Sequence, residues 1–190
     1  MAAYLLGSLP SAYLLVRLVR GADVRTVESG SVGALNAFRA TGRTWIGLVV
    51  LVVDAAKGAL AVLLAGGGAG ILTQALAATM AVLGHTRPVW LRGRGGKGLA
   101  TAAGGLSVIT PVAVPLWGVV WALGYVTSGY IVVGIIAATV LLPPLLGVVA
   151  GWMYAAGAAP VCLLVLLHHR DKIRRLLLGT EPKHYWRGRA

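Results

Sequence analysis

Four polar stretches of this 190-residue chain carry side chains suited to holding anions or moving protons, three set between apolar runs and one following the last of them. The first, ESGSVGALNAFRATGR from Glu28 to Arg43, brings Ser29, Ser31, Asn36 and Arg39 together with Gly30 and Gly33. Such glycines let backbone amides approach an anion, and an arginine can hold phosphate through two parallel N–H bonds. The same composition suits a solvated loop whose arginines are kept on one side of a membrane. The second, GHTRPVWLRGRGGKGLAT from Gly84 to Thr101, sets Gly95, Gly96 and Gly98 around Lys97 just before a helix. Free amide N–H groups, the positive end of a helix dipole and a lysine then converge on one point, which is the architecture of an anion site. The third, YVTSGY from Tyr125 to Tyr130, offers the hydroxyls of Thr127 and Ser128 and means little by itself. The fourth, HHRDKIRRLLLGTEPK from His168 to Lys183, reads as a basic amphipathic helix. Such helices commonly lie on anionic lipid headgroups. Its His169, at the end of an apolar run, is suited to giving or taking a proton.

Other chemistries are excluded by spacing. Gly93, Gly95 and Gly98 match G-x-G-x-x-G, but no strand precedes them, which rules out a dinucleotide fold. A nucleotide-binding P-loop needs glycine where Leu91 stands and Ser or Thr after the lysine, where Gly98 stands. The histidines are scattered and the one cysteine, Cys162, lies in an apolar run, so no metal site is expected. No carboxylate follows any histidine at the spacing of an H-x4-D dyad. The net charge of +12 comes from cations dispersed among apolar segments rather than gathered on a soluble face, so no nucleic-acid partner is expected.

The elements that must position these stretches are membrane helices. Hydrophobic residues make up 58% of the chain and charged residues only 12%, with a mean hydropathy of +0.83, which is too apolar for a soluble fold. Spans are expected near Ala3–Val19, Trp45–Ala65, Ile71–Gly84, Leu99–Ile109, Pro111–Leu123, Tyr130–Gly147 and Trp152–Leu167. The expected fold is an all-α integral membrane protein of about seven transmembrane helices, one domain over residues 1–190. Pro111 and Pro115 split the apolar stretch from Leu99 to Tyr125 into a hairpin, because proline disfavours a continuous helix. Charge supports the split. With seven crossings every Lys and Arg except Lys57 falls on one side, which places the N-terminus outside and the C-terminus in the cytoplasm. Lys57 stands three residues after Asp54 within a span, a spacing that puts both on one helix face and suits either a structural pair or an indirect role in shaping the site.

GSLP at Gly7 to Pro10, SGSVGALNAFR at Ser29 to Arg39, GH at Gly84 and His85, GGKGLAT at Gly95 to Thr101 and GTEPK at Gly179 to Lys183 resemble, in order, the motifs of the PlsY family. These are bacterial membrane enzymes that move an acyl chain from acyl phosphate to glycerol 3-phosphate. The resemblance implies seven spans in the bacterial inner membrane, an active site on the cytoplasmic face, and no cofactor, whether coenzyme A, carrier protein or metal. The implied partners are acyl phosphate, glycerol 3-phosphate and membrane lipids. The implied catalytic residues are Ser29, Lys97 and His169. Arg39 and Asn36 are implied as substrate-binding, together with Gly30, Gly33, Gly95, Gly96, Gly98, Ser31, Thr127 and Ser128. The chain departs from the family pattern at Ser31, Leu35, Tyr130 and Lys172. The expected reaction is attack of the 1-hydroxyl of glycerol 3-phosphate on the acyl carbonyl, giving lysophosphatidic acid and phosphate. The readings from other classes are a non-catalytic lipid-binding relative and a small transporter, and the transporter fits poorly because the polar residues gather at one interface rather than at mid-membrane.

Overall fold

The computed structural model describes residues 1–66 and 68–183, and the chain is helical throughout them, with no strand. Arg187 and Arg189, counted above among the cytoplasmic cations, lie outside the described residues. The expected unbroken first span is instead two helices, α1 (Ala2–Gly7) and α2 (Ser11–Arg20). Pro10 has no N–H to continue the ladder and disfavours helical backbone at Leu9, so the chain breaks there. The first polar stretch folds into a short helix, α3 (Ala34–Thr41), ahead of α4 (Thr44–Leu64) and α5 (Gly70–Thr86). The apolar stretch from Leu99 divides as the prolines predict, into α6 (Leu99–Ile109) and α7 (Ala113–Ser128). Thr110, the residue before Pro111, is extended. Pro115 falls in the first turn of α7, where its missing N–H would have had no partner. Then come α8 (Ile131–Val149), α9 (Trp152–Leu167) and a short basic α10 (Arg170–Leu177), bent by 62° from α9.

Leu18, Leu64, Val126, Val148 and Trp152 stand 72% to 87% exposed on the outer surface. That much apolar surface facing outward is stable in lipid. By length and composition three segments can each cross a bilayer, Ala2–Arg20, Thr44–Leu64 and Ile131–Val149, with a fourth if the bent α9–α10 pair is counted as one broken span.

Inside, small residues let backbones touch. A side chain at Gly58 would run into the Thr101 carbonyl and one at Gly104 into that of Ala55, so α4 and α6 pack at the closest approach glycine permits. One apolar cluster, including Val62, Val82, Leu106, Leu142 and Val161, ties α4 to α9. A second, including Val16, Val24, Ala37, Ile46 and Val50, fastens the loop from Val24 and α3 onto α2 and α4. The polar loops therefore rest on rigid elements.

Candidate active site where the polar loops meet

The first loop is shaped by its own side chains. Asp23 accepts the Arg25 N–H at 2.9 Å and pairs with the Arg25 guanidinium, which holds the Asp23 carboxyl below the usual carboxylate range. Asn36, 3% exposed, donates to the carbonyls of Val24 at 2.9 Å and Val27 at 3.2 Å, and its Oδ1 accepts the Ser29 N–H at 3.3 Å. Asn36, expected to touch substrate, is thus engaged in holding the loop. That brace presents the hydroxyl of Ser29, which is exposed and has no hydrogen-bond partner among the described residues. Gly30, at φ 65°, occupies left-handed backbone that a side chain would strain. Arg39 projects from α3, exposed and with no carboxylate partner among the described residues.

The second loop is joined to the first by Val32 N–H donating to the Gly95 carbonyl at 3.3 Å. Gly96 N–H donates back to the His85 carbonyl at the end of α5, at 3.1 Å. A Cβ at Gly95 would strike that carbonyl, and one at Gly96 would strike the His85 ring and the Val32 carbonyl. Only glycine lets the loop lie this close. Gly98 then turns the chain at φ 83° into the N-terminus of α6. Lys97 is half-buried and makes no ion pair among the described residues. Burial, followed by the fields of Lys172 and Arg175, lowers its pKa to about 8, while Glu181 and Asp171 pull it back up. The ammonium is therefore charged at pH 7 and short of a counter-ion.

His169 lies at the α9–α10 bend, 1% exposed. Its Nδ1 stands 2.7 Å from the Val165 carbonyl, which can only accept, so Nδ1 carries the proton and Nε2 the lone pair. Burial lowers its pKa to about 4, partly offset by the Val165 carbonyl and reinforced by Lys97 and Lys172. The imidazole is therefore neutral at pH 7. Next on α10, Lys172 has its pKa lowered by burial and by the fields of Arg175 and Arg39, against the opposing pull of Glu181. Glu181 closes the segment, 2.7 Å from Arg175 and 4.0 Å from Lys172. These couplings bring Arg39, Lys97, His169, Lys172 and Arg175 into one electrostatic neighbourhood.

The third stretch joins less fully. Ser128 donates to the Gly124 carbonyl at 2.6 Å and accepts the Tyr130 N–H at 3.1 Å, and Thr127 donates to the Leu123 carbonyl at 2.8 Å. Both hydroxyls, expected to bind substrate, finish α7 and its turn. The turn meets the C-terminal segment, where Lys183 lies 5.3 Å from the centre of the Tyr130 ring. From sequence, Lys172 and Arg175 belong to a basic helix suited to lipid headgroups rather than to the neighbourhood of Lys97. GTEPK signalled that Glu181 matters, but only the α9–α10 bend brings these three to Lys97.

The chain matches the family model described as glycerol-3-phosphate acyltransferase over residues 1–179. It is 42% identical over 182 residues to glycerol-3-phosphate acyltransferase 2 of Moorella thermoacetica, covering 95% of this chain and 93% of that one. It is 43% identical over 184 residues to the glycerol-3-phosphate acyltransferase of Parasynechococcus marenigrum, covering 95% and 85%. The fold superposes on the crystal structure of PlsY (YgiH), an integral membrane glycerol 3-phosphate acyltransferase, in its glycerol 3-phosphate form. That comparison gives a TM-score of 0.85 and 34% identity over 97% of this chain and 92% of the other. The lysophosphatidic acid form gives 0.81 and 33%, over 95% and 91%. A helical multi-pass membrane fold, cation-rich glycine loops at one end of it, and relatives alike over nearly their whole lengths make this chain a member of the glycerol-3-phosphate acyltransferase family.

Proposed function

We propose that the chain transfers a fatty acyl group from acyl phosphate to the 1-hydroxyl of glycerol 3-phosphate, at the cytoplasmic face of a bacterial plasma membrane. The observation that carries this reading is the half-buried, uncompensated Lys97 in a glycine turn, among Arg39, Lys172 and Arg175. A site so rich in cations and poor in carboxylates suits two phosphate-bearing substrates held side by side. The names of the relatives supply the acceptor. The resemblance in GGKGLAT and GTEPK supplies the donor. Seven crossings, with the N-terminus outside and α6 and α7 as a short hairpin, would put every polar loop of the site on the cytoplasmic side with the cations.

In this mechanism the hydroxyl oxygen bonds to the acyl carbonyl carbon, the bond from that carbon to the phosphate oxygen breaks, and phosphate leaves with its electron pair. The donor is activated already, so the protein acts by positioning and charge stabilisation. Lys97, Arg39 and the amides of the Gly95–Gly98 turn other than that of Gly96, which the His85 carbonyl takes, hold the phosphates, while the Ser29 hydroxyl is free to orient the acceptor or the carbonyl. The hydroxyl proton ends on a phosphate oxygen. His169, with its pKa lowered to about 4, is less basic than a phosphate dianion, whose second pKa is about 6, and serves as an Nε2 acceptor that orients. Purified protein given acyl phosphate and glycerol 3-phosphate should release lysophosphatidic acid and inorganic phosphate without coenzyme A. No product from acyl phosphate, with product from an acyl thioester, would overturn the donor. No product from either would favour a non-catalytic lipid-binding relative.

A further inference from the structure

Beneath the Gly95–Gly98 turn lies a buried polar cluster that the proposed chemistry does not use. Asp54 and Lys57 on α4 are 1% and 4% exposed and meet at 2.7 Å. Ser11 Oγ donates to Asp54 Oδ1 at 2.6 Å. Lys57 donates to the Leu9 carbonyl at 3.0 Å, an acceptor made available where Pro10 breaks the first span. His85 Nδ1 stands 3.5 Å from the same Asp54 oxygen. Stability is a poor reason to keep such a pair, because apolar residues of like volume often serve as well or better. Geometry is a better one, since the cluster locks the α1–α2 break, α4 and the end of α5 to one another. Its outer edge is the phosphate loop itself. The carbonyl of His85 receives the Gly96 N–H, its Nε2 lies against Gly96, and its carbonyl lies against Gly95. The residue after Gly96 is Lys97.

We infer that His85 is a positioning residue, held from beneath by Asp54, Lys57 and Ser11, which fixes the Gly95–Gly96 backbone so that Lys97 and the adjoining amides are aimed at substrate phosphate. The inference rests on the reading of Lys97 as a phosphate ligand and explains why two charges are kept inside an apolar helix. Preorganised ligands lose affinity when their support is loosened, even with the ligand itself intact. His85→Asn should therefore raise KM about tenfold for whichever substrate Lys97→Ala affects most, with a smaller change in kcat. Ser11→Ala, which deletes one hydroxyl, should raise the same KM about threefold.

The deciding experiment is a double-variant cycle in detergent-purified protein whose thermal transition shows it folded. If His85 acts through Lys97, adding His85→Asn to Lys97→Ala changes kcat/KM by less than about twofold, because the ligand it aims is gone. Multiplying effects would overturn the inference, as would a wild-type KM for both substrates in folded His85→Asn. Should His85→Asn fail to fold, the same cycle with Ser11→Ala decides by the same two outcomes. Wild-type turnover in Lys97→Ala would instead sink the active-site reading, so the two failures are told apart.

Discussion

Lys97 differs from the other cations of the site in combining burial with the absence of a carboxylate partner among the described residues. Lys97→Ala should cost at least tenfold in activity, since a charge-assisted contact contributes about 1.5 to 3 kcal/mol and each 1.4 kcal/mol is a decade. Lys97→Arg should restore little, because a planar fork does not fit a glycine-lined pocket made for a compact ammonium. The lowered pKa of about 8 gives a pH dependence with a definite sign. Phosphate binds the charged form, so kcat/KM for the substrate held by Lys97 should fall as pH rises through about 8, tenfold per unit beyond it, and arginine should abolish that limb. A bound phosphate favours the ammonium, so the corresponding limb in kcat should lie at higher pH. A flat profile from pH 7 to 10 would contradict the role. Ser128→Ala should behave oppositely, leaving KM within about twofold while lowering the thermal midpoint, because its hydroxyl closes the α7–α8 turn at a cost of about 1 kcal/mol if lost.

At the scale of elements, the decisive contacts are those where helices approach without side chains between them. Gly104→Val should separate α6 from the Ala55 carbonyl and move the turn before Leu99, giving little folded protein on size-exclusion in detergent. Lys57→Met is a second test. It leaves Asp54 buried without its cation, so a loss of about 3 to 5 kcal/mol is expected, with Asp54→Asn in the same chain recovering part of it. The helix breaks at Leu9 and Thr110 were legible to different degrees for one physical reason. Pro111 interrupts a stretch long enough for a hairpin, whereas Pro10 sits in a segment whose length fits a single span, so length masks a break that proline chemistry makes and the Lys57 contact to Leu9 holds.

At the scale of the molecule, a cysteine placed at Gly68 should react with an impermeant thiol reagent from outside intact cells and one at Arg94 should not, with native Cys162, buried in the core, silent. Labelling of Arg94→Cys from outside would invert the proposed orientation. Composition and the placement of Lys and Arg are properties of the chain before it folds, and they already specify a helical membrane protein with its cations on a few loops. The glycine turn that carries Lys97 into an apolar helix was legible too, since Gly-Gly-Lys-Gly before such a helix carries its geometry locally. Which partners the polar side chains take was set only in the folded molecule. Asn36, Thr127 and Ser128 have the chemistry to bind substrate, but their partners are carbonyls and amides of their own loops, which residue type cannot foretell. Lys172, Arg175 and Glu181 come to Lys97 only through the 62° bend after α9. The link from Asp54 through His85 to Gly96 joins residues more than thirty positions apart in sequence, and no spacing rule reaches that far. Spacing predicts faces of one helix; which faces of different helices meet is set by packing, and in this chain by the glycines that let backbones touch.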